Sequence, residues 1–206
     1  MKHFFITGTG TDVGKTMASA AITLARLGQY WKPIQSGTSD RLTVQQLTGL
    51  GDSHFLPSVY EFQASLSPDQ AAALENKMID LQTCHMPTNV SSLVVEGAGG
   101  IFVPLNENKF MLDLMKQCYL PIIVVAHGKL GTINHTLLTL EVLRYHQLPI
   151  HGVVFSGELN PNNQLAIEKM GNVNTLFHIP HFSELTPSHF QQWVRENNHL
   201  IMESLS

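Results

Sequence analysis

Charge and cysteine are both scarce in this chain. Only 14% of its 206 residues are Asp, Glu, Lys or Arg, while 43% are hydrophobic. That balance excludes a segment disordered by its composition, because the apolar side chains are numerous enough to offset the entropy lost on ordering. Lys and Arg number 12 against 16 Asp and Glu, for a net charge of −4, so a broad basic surface has little to be built from and no nucleic-acid partner is expected. The two cysteines, Cys84 and Cys118, lie far apart and form no Cys-x-x-Cys pair, which excludes a disulfide framework and a zinc ribbon. Long hydrophobic runs are missing as well. Residues 121–126 fall far short of the ~20 needed to cross a bilayer, and the N-terminal strand turns into a Gly-rich loop at Gly8 before any signal-like apolar region has formed. A soluble, cytoplasmic protein without a membrane partner is expected. No repeat or linker interrupts the chain, so residues 1–206 are expected to form a single domain.

Short β-rich runs alternate with longer stretches of helical period. Residues 3–7, 30–34, 92–96, 122–126, 152–155 and 176–179 are apolar and bounded by Gly, Pro or polar residues, as strands covered on both faces should be. Residues 15–27 form a predicted helix closed by Gly28, and residues 134–146 carry Leu137, Leu138, Leu140, Val142 and Leu143 at helical spacing. A third helix is predicted to begin at Ser67-Pro68, and residues 187–205 carry a stripe of Phe190, Trp193, Val194, Leu200 and Ile201. The pattern predicts an α/β fold: one doubly wound, mostly parallel sheet with flanking helices.

The chemistry is concentrated where strands end. Gly8-Thr9-Gly10-Thr11-Asp12-Val13-Gly14-Lys15-Thr16 follows the first strand and opens the first helix, the context of a phosphate loop. Glycines turn backbone amides toward a polyphosphate, Lys15 reaches its terminal phosphates and the Thr16 hydroxyl suits Mg²⁺. Five residues separate Gly8 from Gly14, where the strict motif has four, so this is a variant loop. Val94-Val95-Glu96-Gly97-Ala98-Gly99 ends a neighbouring strand with a carboxylate that suits the same metal, and Lys32-Pro33-Ile34-Gln35-Ser36 brings a cation and a hydroxyl to that edge. Asp40 suits either a helix cap or a further metal ligand. The eleven histidines show no i, i+4 zinc pair and are expected on the surface or packed.

These motifs, together with Leu130-Gly131-x-Ile133-Asn134-His135, resemble the dethiobiotin synthetase family of the P-loop NTPase superfamily, in order and in context, as far as about Phe182. The resemblance implies a ligase of biotin biosynthesis that uses MgATP to join CO₂ to 7,8-diaminononanoate, giving dethiobiotin, ADP and phosphate. It also implies a homodimer with substrate at the subunit interface. Carried onto this chain, it assigns Lys15, Lys32 and Thr11 to catalysis, and Thr16, Asp40 and Glu96 to Mg²⁺. Asp12, Val13, Gly14, Lys15, Thr16 and Met17 would wrap the triphosphate, with Glu96, Gly97, Ala98 and Gly99 opposite. Thr11 and Ser36 would face the diamine, and Leu130, Gly131 and Asn134 its carboxylate from the partner chain. Where members often carry an Asn that reads the purine, this chain has Ser156 and Gly157, so Pro180, His181 and Phe182 are expected to help with the base. Regulatory P-loop ATPases of the partitioning and division-site type typically carry an extra lysine early in the loop. None lies between Lys2 and Lys15 here.

Overall fold

Successive residues of the first strand, β1 (Phe4–Gly8), go to opposite sides: Phe4 and Ile6 join one apolar cluster and Phe5 another. This alternation is the period-two geometry of a strand covered on both faces, and it divides the core into two layers about one sheet. The structure, a computed structural model, describes residues 2–158 and 160–206.

The chain runs from β1 through α1 (Lys15–Arg26) to β2 (Gln29–Trp31), then β3 (Ile34–Ser36), α2 (Asp40–Thr48), β4 (Tyr60–Phe62) and α3 (Pro68–Leu74). Next come β5 (Leu93–Glu96), the short strands β6 (Pro104–Asn106) and β7 (Lys109–Phe110), and α4 (Met111–Cys118). The second half alternates strictly: β8 (Ile122–His127), α5 (Thr132–Tyr145), β9 (Ile150–Ser156), α6 (Pro161–Gly171), β10 (Thr175–Ile179), α7 (Pro187–Glu196) and α8 (Asn198–Ser204). Six strands form a parallel sheet in the order β10-β9-β8-β1-β5-β2. From β1 the chain winds first toward β2 and then back across to β8, so the order reverses beside β1, where open α/β sheets hold their ligands.

All six predicted strands are present in this sheet, but the second is cut short. Pro33 has no N–H to donate, and the chain leaves the sheet there: β3 pairs with β4 in a separate two-stranded sheet, while the Pro33 carbonyl accepts from the N–H groups of Val59 and Tyr60. The first helix also ends differently. Leu27 takes the left-handed conformation (φ 47) in place of Gly28, and the Gly28 N–H closes the end by donating to the Thr23 carbonyl at 3.0 Å. Gly28 is needed for another reason: a Cβ there would sit 3.1 Å from the Ser92 carbonyl oxygen. The C-terminal stripe breaks at Asn197 into α7 and α8. Helices α2, α4 and α6 and the two small sheets were not predicted. Among the described residues no helix is long and apolar enough to cross a membrane.

Candidate active site

Because the six strands are parallel, their C-terminal ends share one edge, and a cavity of about 740 Å³ opens there. The phosphate loop contributes Thr11, Asp12 and Gly14, and the first turn of α1 contributes Lys15, Thr16 and Met17. Lys32, Ser36 and Asp40 come from the break after β2, and Glu96, Ala98 and Gly99 from the end of β5. The loop gains its shape from left-handed residues, Asp12 (φ 57) and Gly14 (φ 95), a backbone conformation of the kind that turns successive N–H groups into one concavity. Gly14 caps α1 with no side-chain hydrogen bond, which leaves the first-turn amides free for an anion. A Cβ on Gly14 would run into the Ser156 hydroxyl, so glycine is required for both conformation and space.

Four side chains converge on one wall. Thr16 Oγ1 lies 3.1 Å from Asp40 Oδ1 and 3.1 Å from Glu96 Oε1. The ammonium of Lys32 sits 2.5 Å from Asp40 Oδ2 and 3.2 Å from Glu96 Oε1. Glu96 is 1% exposed and Lys32 4%, so their contact is shielded from water and strong, whereas the Asp40 side chain, 30% exposed, faces the cavity. Burial alone would lower the Lys32 pKa, but the carboxylates of Glu96 and Asp40 outweigh it and raise the pKa, holding the side chain as a cation. Lys15 goes the other way: burial lowers its pKa, partly offset by Glu96 and reinforced by the like charge of Lys32. Its ammonium donates to the Gly10 carbonyl at 2.9 Å, folded back along the loop.

Thr16 has a single hydroxyl hydrogen facing two carboxylates, so one short O–O approach lacks a proton. Three oxygens so placed suit a small divalent cation, whose ligands are oxygens from hydroxyls and carboxylates. Asp40 is the first residue of α2, and the cap is Ser39, whose hydroxyl accepts the Leu42 N–H at 3.4 Å. Among the described residues no group of three or more His, Cys, Asp or Glu stands ready to hold a metal. Ser36 Oγ is buried with no hydrogen-bond partner, an orphan polar atom at the cavity.

Other predicted residues lie outside the cavity lining. Val13 packs into the core at 3% exposure, and Gly97 is pressed between Phe5 and Met111. Ser156 rests on Gly14. Gly157 donates its N–H to the Ile179 carbonyl at 2.9 Å and its own carbonyl lies 2.6 Å from a His178 ring nitrogen, which ties the end of β9 to the segment leading into Pro180 and His181. Phe182 packs against Phe190 and Trp193. Leu130 is fully exposed, Gly131 (φ 92) caps α5 and Asn134 is exposed on its first turn.

Sequence reasoning passed over three groups at this site. Tyr30 donates to Glu96 Oε2 at 3.0 Å but sits within an apolar strand run. Gln35 braces the loop to Asp40, and only a lone amide between Ile34 and Ser36 marks it in sequence. Residues 65–68 also line the cavity, although Ser67-Pro68 signals only a helix start.

Residues 2–189 match the AAA domain family, to which the chain belongs. The ATP-dependent dethiobiotin synthetase of Paramagnetospirillum magneticum is 47% identical over 180 residues, which cover 87% of this chain and 88% of that protein. That of Agrobacterium fabrum is 41% identical over 193 residues, covering 92% and 91%. The biotin biosynthesis bifunctional protein of Bordetella avium is 41% identical over 196 residues, 93% of this chain but 42% of that protein. Among solved structures, a ParA family ATPase from Chlorobium tepidum superposes with a TM-score of 0.60 at 12% identity, covering 100% of this chain and 98% of that one. A chain of the MinC:MinD cell division complex of Aquifex aeolicus gives 0.59 at 13%, covering 99% and 93%. These two share the fold alone.

Proposed function

This chain belongs to the dethiobiotin synthetase family, and from that premise we propose how its site carries out the family's reaction. The enzyme joins 7,8-diaminononanoate and CO₂ at the expense of ATP. One amine adds to CO₂ and loses a proton, giving a carbamate. A carbamate oxygen attacks the γ-phosphorus and ADP leaves. The second amine then attacks the carbonyl carbon of the carbamic-phosphoric anhydride, and phosphate departs as the cyclic urea closes.

The observation that carries this reading is the convergence beside the phosphate loop of Thr16 and Lys32 on the same two carboxylates, each within 3.2 Å of both Asp40 and Glu96. Phosphoryl transfer needs positioning and charge neutralisation more than covalent help from the protein. Lys15 and Lys32 supply positive charge from largely buried positions, Thr11 lies at the loop's mouth, and the unpartnered hydroxyl of Ser36 is available to an amine. Thr16, Asp40 and Glu96 would hold Mg²⁺, which supplies charge neutralisation at the β- and γ-phosphates when bound. Ser156 and Gly157, with residues 180–182, face the base, a reading supported by the hydrogen bonds of Gly157 with His178 and Ile179, which hold the chain just before residue 180 beside the end of β9.

The working unit is a cytoplasmic homodimer. Leu130, Gly131 and Asn134 lie outside this chain's own cavity, and a fully exposed Leu130 beside an exposed Asn134 at a helix N-terminus suits a substrate carboxylate and apolar chain bound in the partner's cavity. Expression in a bacterium lacking its dethiobiotin synthetase tests the activity: growth on biotin-free medium is expected with the wild-type chain and not with Lys15→Ala, and failure of the wild type despite abundant protein would refute it.

A further inference from the structure

Gln35 is a buried amide, 4% exposed, on β3. Its Nε2 donates to the Ser36 carbonyl at 3.0 Å and to the Thr38 carbonyl at 2.6 Å, and its Oε1 accepts the Asp40 N–H at 3.0 Å. Both amide hydrogens are thereby used within the loop, so Gln35 has no donor left for a ligand even though it borders the cavity. The bonds close residues 36–40 around the amide. Asp40 opens α2, and the N–H groups at a helix start have no partner within the helix; Gln35 satisfies this one. The backbone of Asp40 is therefore fixed at the point from which its carboxylate reaches Thr16 at 3.1 Å and Lys32 at 2.5 Å.

We propose that Gln35 is a positioning residue for the reaction: it fixes the loop that holds the Asp40 carboxylate in register with Glu96 across Thr16, and so sets the affinity of the site for the metal that accompanies ATP. The inference rests on the assignment of Asp40 to that metal site. Partners that orient a metal-binding carboxylate act through geometry, and their loss weakens metal binding by about ten- to a hundredfold.

The test uses the whole enzyme with a non-hydrolysable ATP analogue, following Mn²⁺ binding by loss of the free-ion EPR signal, alongside the Mg²⁺ dependence of product formation. Wild type, Gln35→Met, Asp40→Ala and the double variant are compared. Gln35→Met should weaken Mn²⁺ binding about tenfold, raise the Mg²⁺ concentration for half-maximal rate in parallel, and leave metal-free analogue binding unchanged. In the Asp40→Ala background the same substitution should add nothing, because no carboxylate is left to position. An equal further loss in the double variant, or unchanged Mn²⁺ binding in Gln35→Met, overturns the proposal. Wild-type Mn²⁺ binding by Asp40→Ala alone would instead refute the metal assignment beneath it. Should Gln35→Met fail to fold, Gln35→Asn keeps a neutral amide that is one methylene too short to span the loop to the Asp40 N–H; unchanged Mn²⁺ binding there would equally overturn the role.

Discussion

The phenol oxygen of Tyr30 lies 3.0 Å from Oε2 of Glu96, and both side chains are buried, at 0% and 1% exposure. This contact occupies one carboxylate oxygen and leaves the other, Oε1, to Thr16 and Lys32. Burial raises the Tyr30 pKa well above its ordinary value, and the charges of Glu96 and Asp40 raise it further, so the phenol keeps its proton and remains a donor. Tyr30→Phe removes only that donor and strands a buried carboxylate oxygen. It should lower unfolding free energy by about 1–3 kcal/mol and reduce product formation. An unchanged denaturation midpoint would mean that the bond contributes nothing.

Lys15 and Lys32 are two separate sources of positive charge. Replacing either with Ala should cut the rate of product formation by about a hundredfold or more, the scale found on removal of a preorganised charge-stabilising group, with the circular dichroism spectrum retained. Lys32→Ala also leaves Asp40 and Glu96 without the cation between them, so the site becomes more negative and the Mg²⁺ concentration for half-maximal binding should fall even as the rate is lost. Steady-state rates like those of the wild type in either variant would remove that lysine from the site.

Asn134 lies exposed on the first turn of α5, away from the phosphate loop of its own chain. Asn134→Ala is expected to raise the KM for the diamine several-fold while leaving that for ATP within error. Equal increases in both would contradict a role confined to the substrate carboxylate.

The two cysteines are buried and free. Burial pushes the Cys84 thiol up to about 11 and the Cys118 thiol up to about 12. Because both folded values lie above those of the unfolded chain, the associated stability is complete at neutral pH. It is lost as pH rises from about 8.5, the ordinary thiol value, toward 11 and 12. Native protein at pH 8 should therefore react negligibly with a thiol reagent, and both thiols should react on unfolding. Rapid labelling of the native enzyme would contradict their placement.

Local signals in the sequence carried the fold a long way. Apolar runs between Gly and Pro marked all six strands of the main sheet, and Gly14-Lys15-Thr16 marked the junction of loop and α1. Sequence reasoning failed where tertiary geometry decides. Pro33 ends β2 early, and a run that looked like one strand serves two sheets. Leu27 adopts a left-handed backbone although glycine follows it. At the site, Lys15, Lys32 and Glu96 could be named from strand and loop ends, because such positions share an edge in any parallel sheet. Tyr30 and Gln35 could not, since nothing in their neighbours indicates that one hydroxyl meets a carboxylate 66 residues away or that one amide spans the turn to Asp40.

The most direct test is ADP release by the purified protein with MgATP and bicarbonate, measured with and without 7,8-diaminononanoate and paired with mass detection of the product. Diamine-dependent ADP and dethiobiotin in equal amounts are predicted. ATP hydrolysis indifferent to the diamine, with no dethiobiotin formed, would contradict the account.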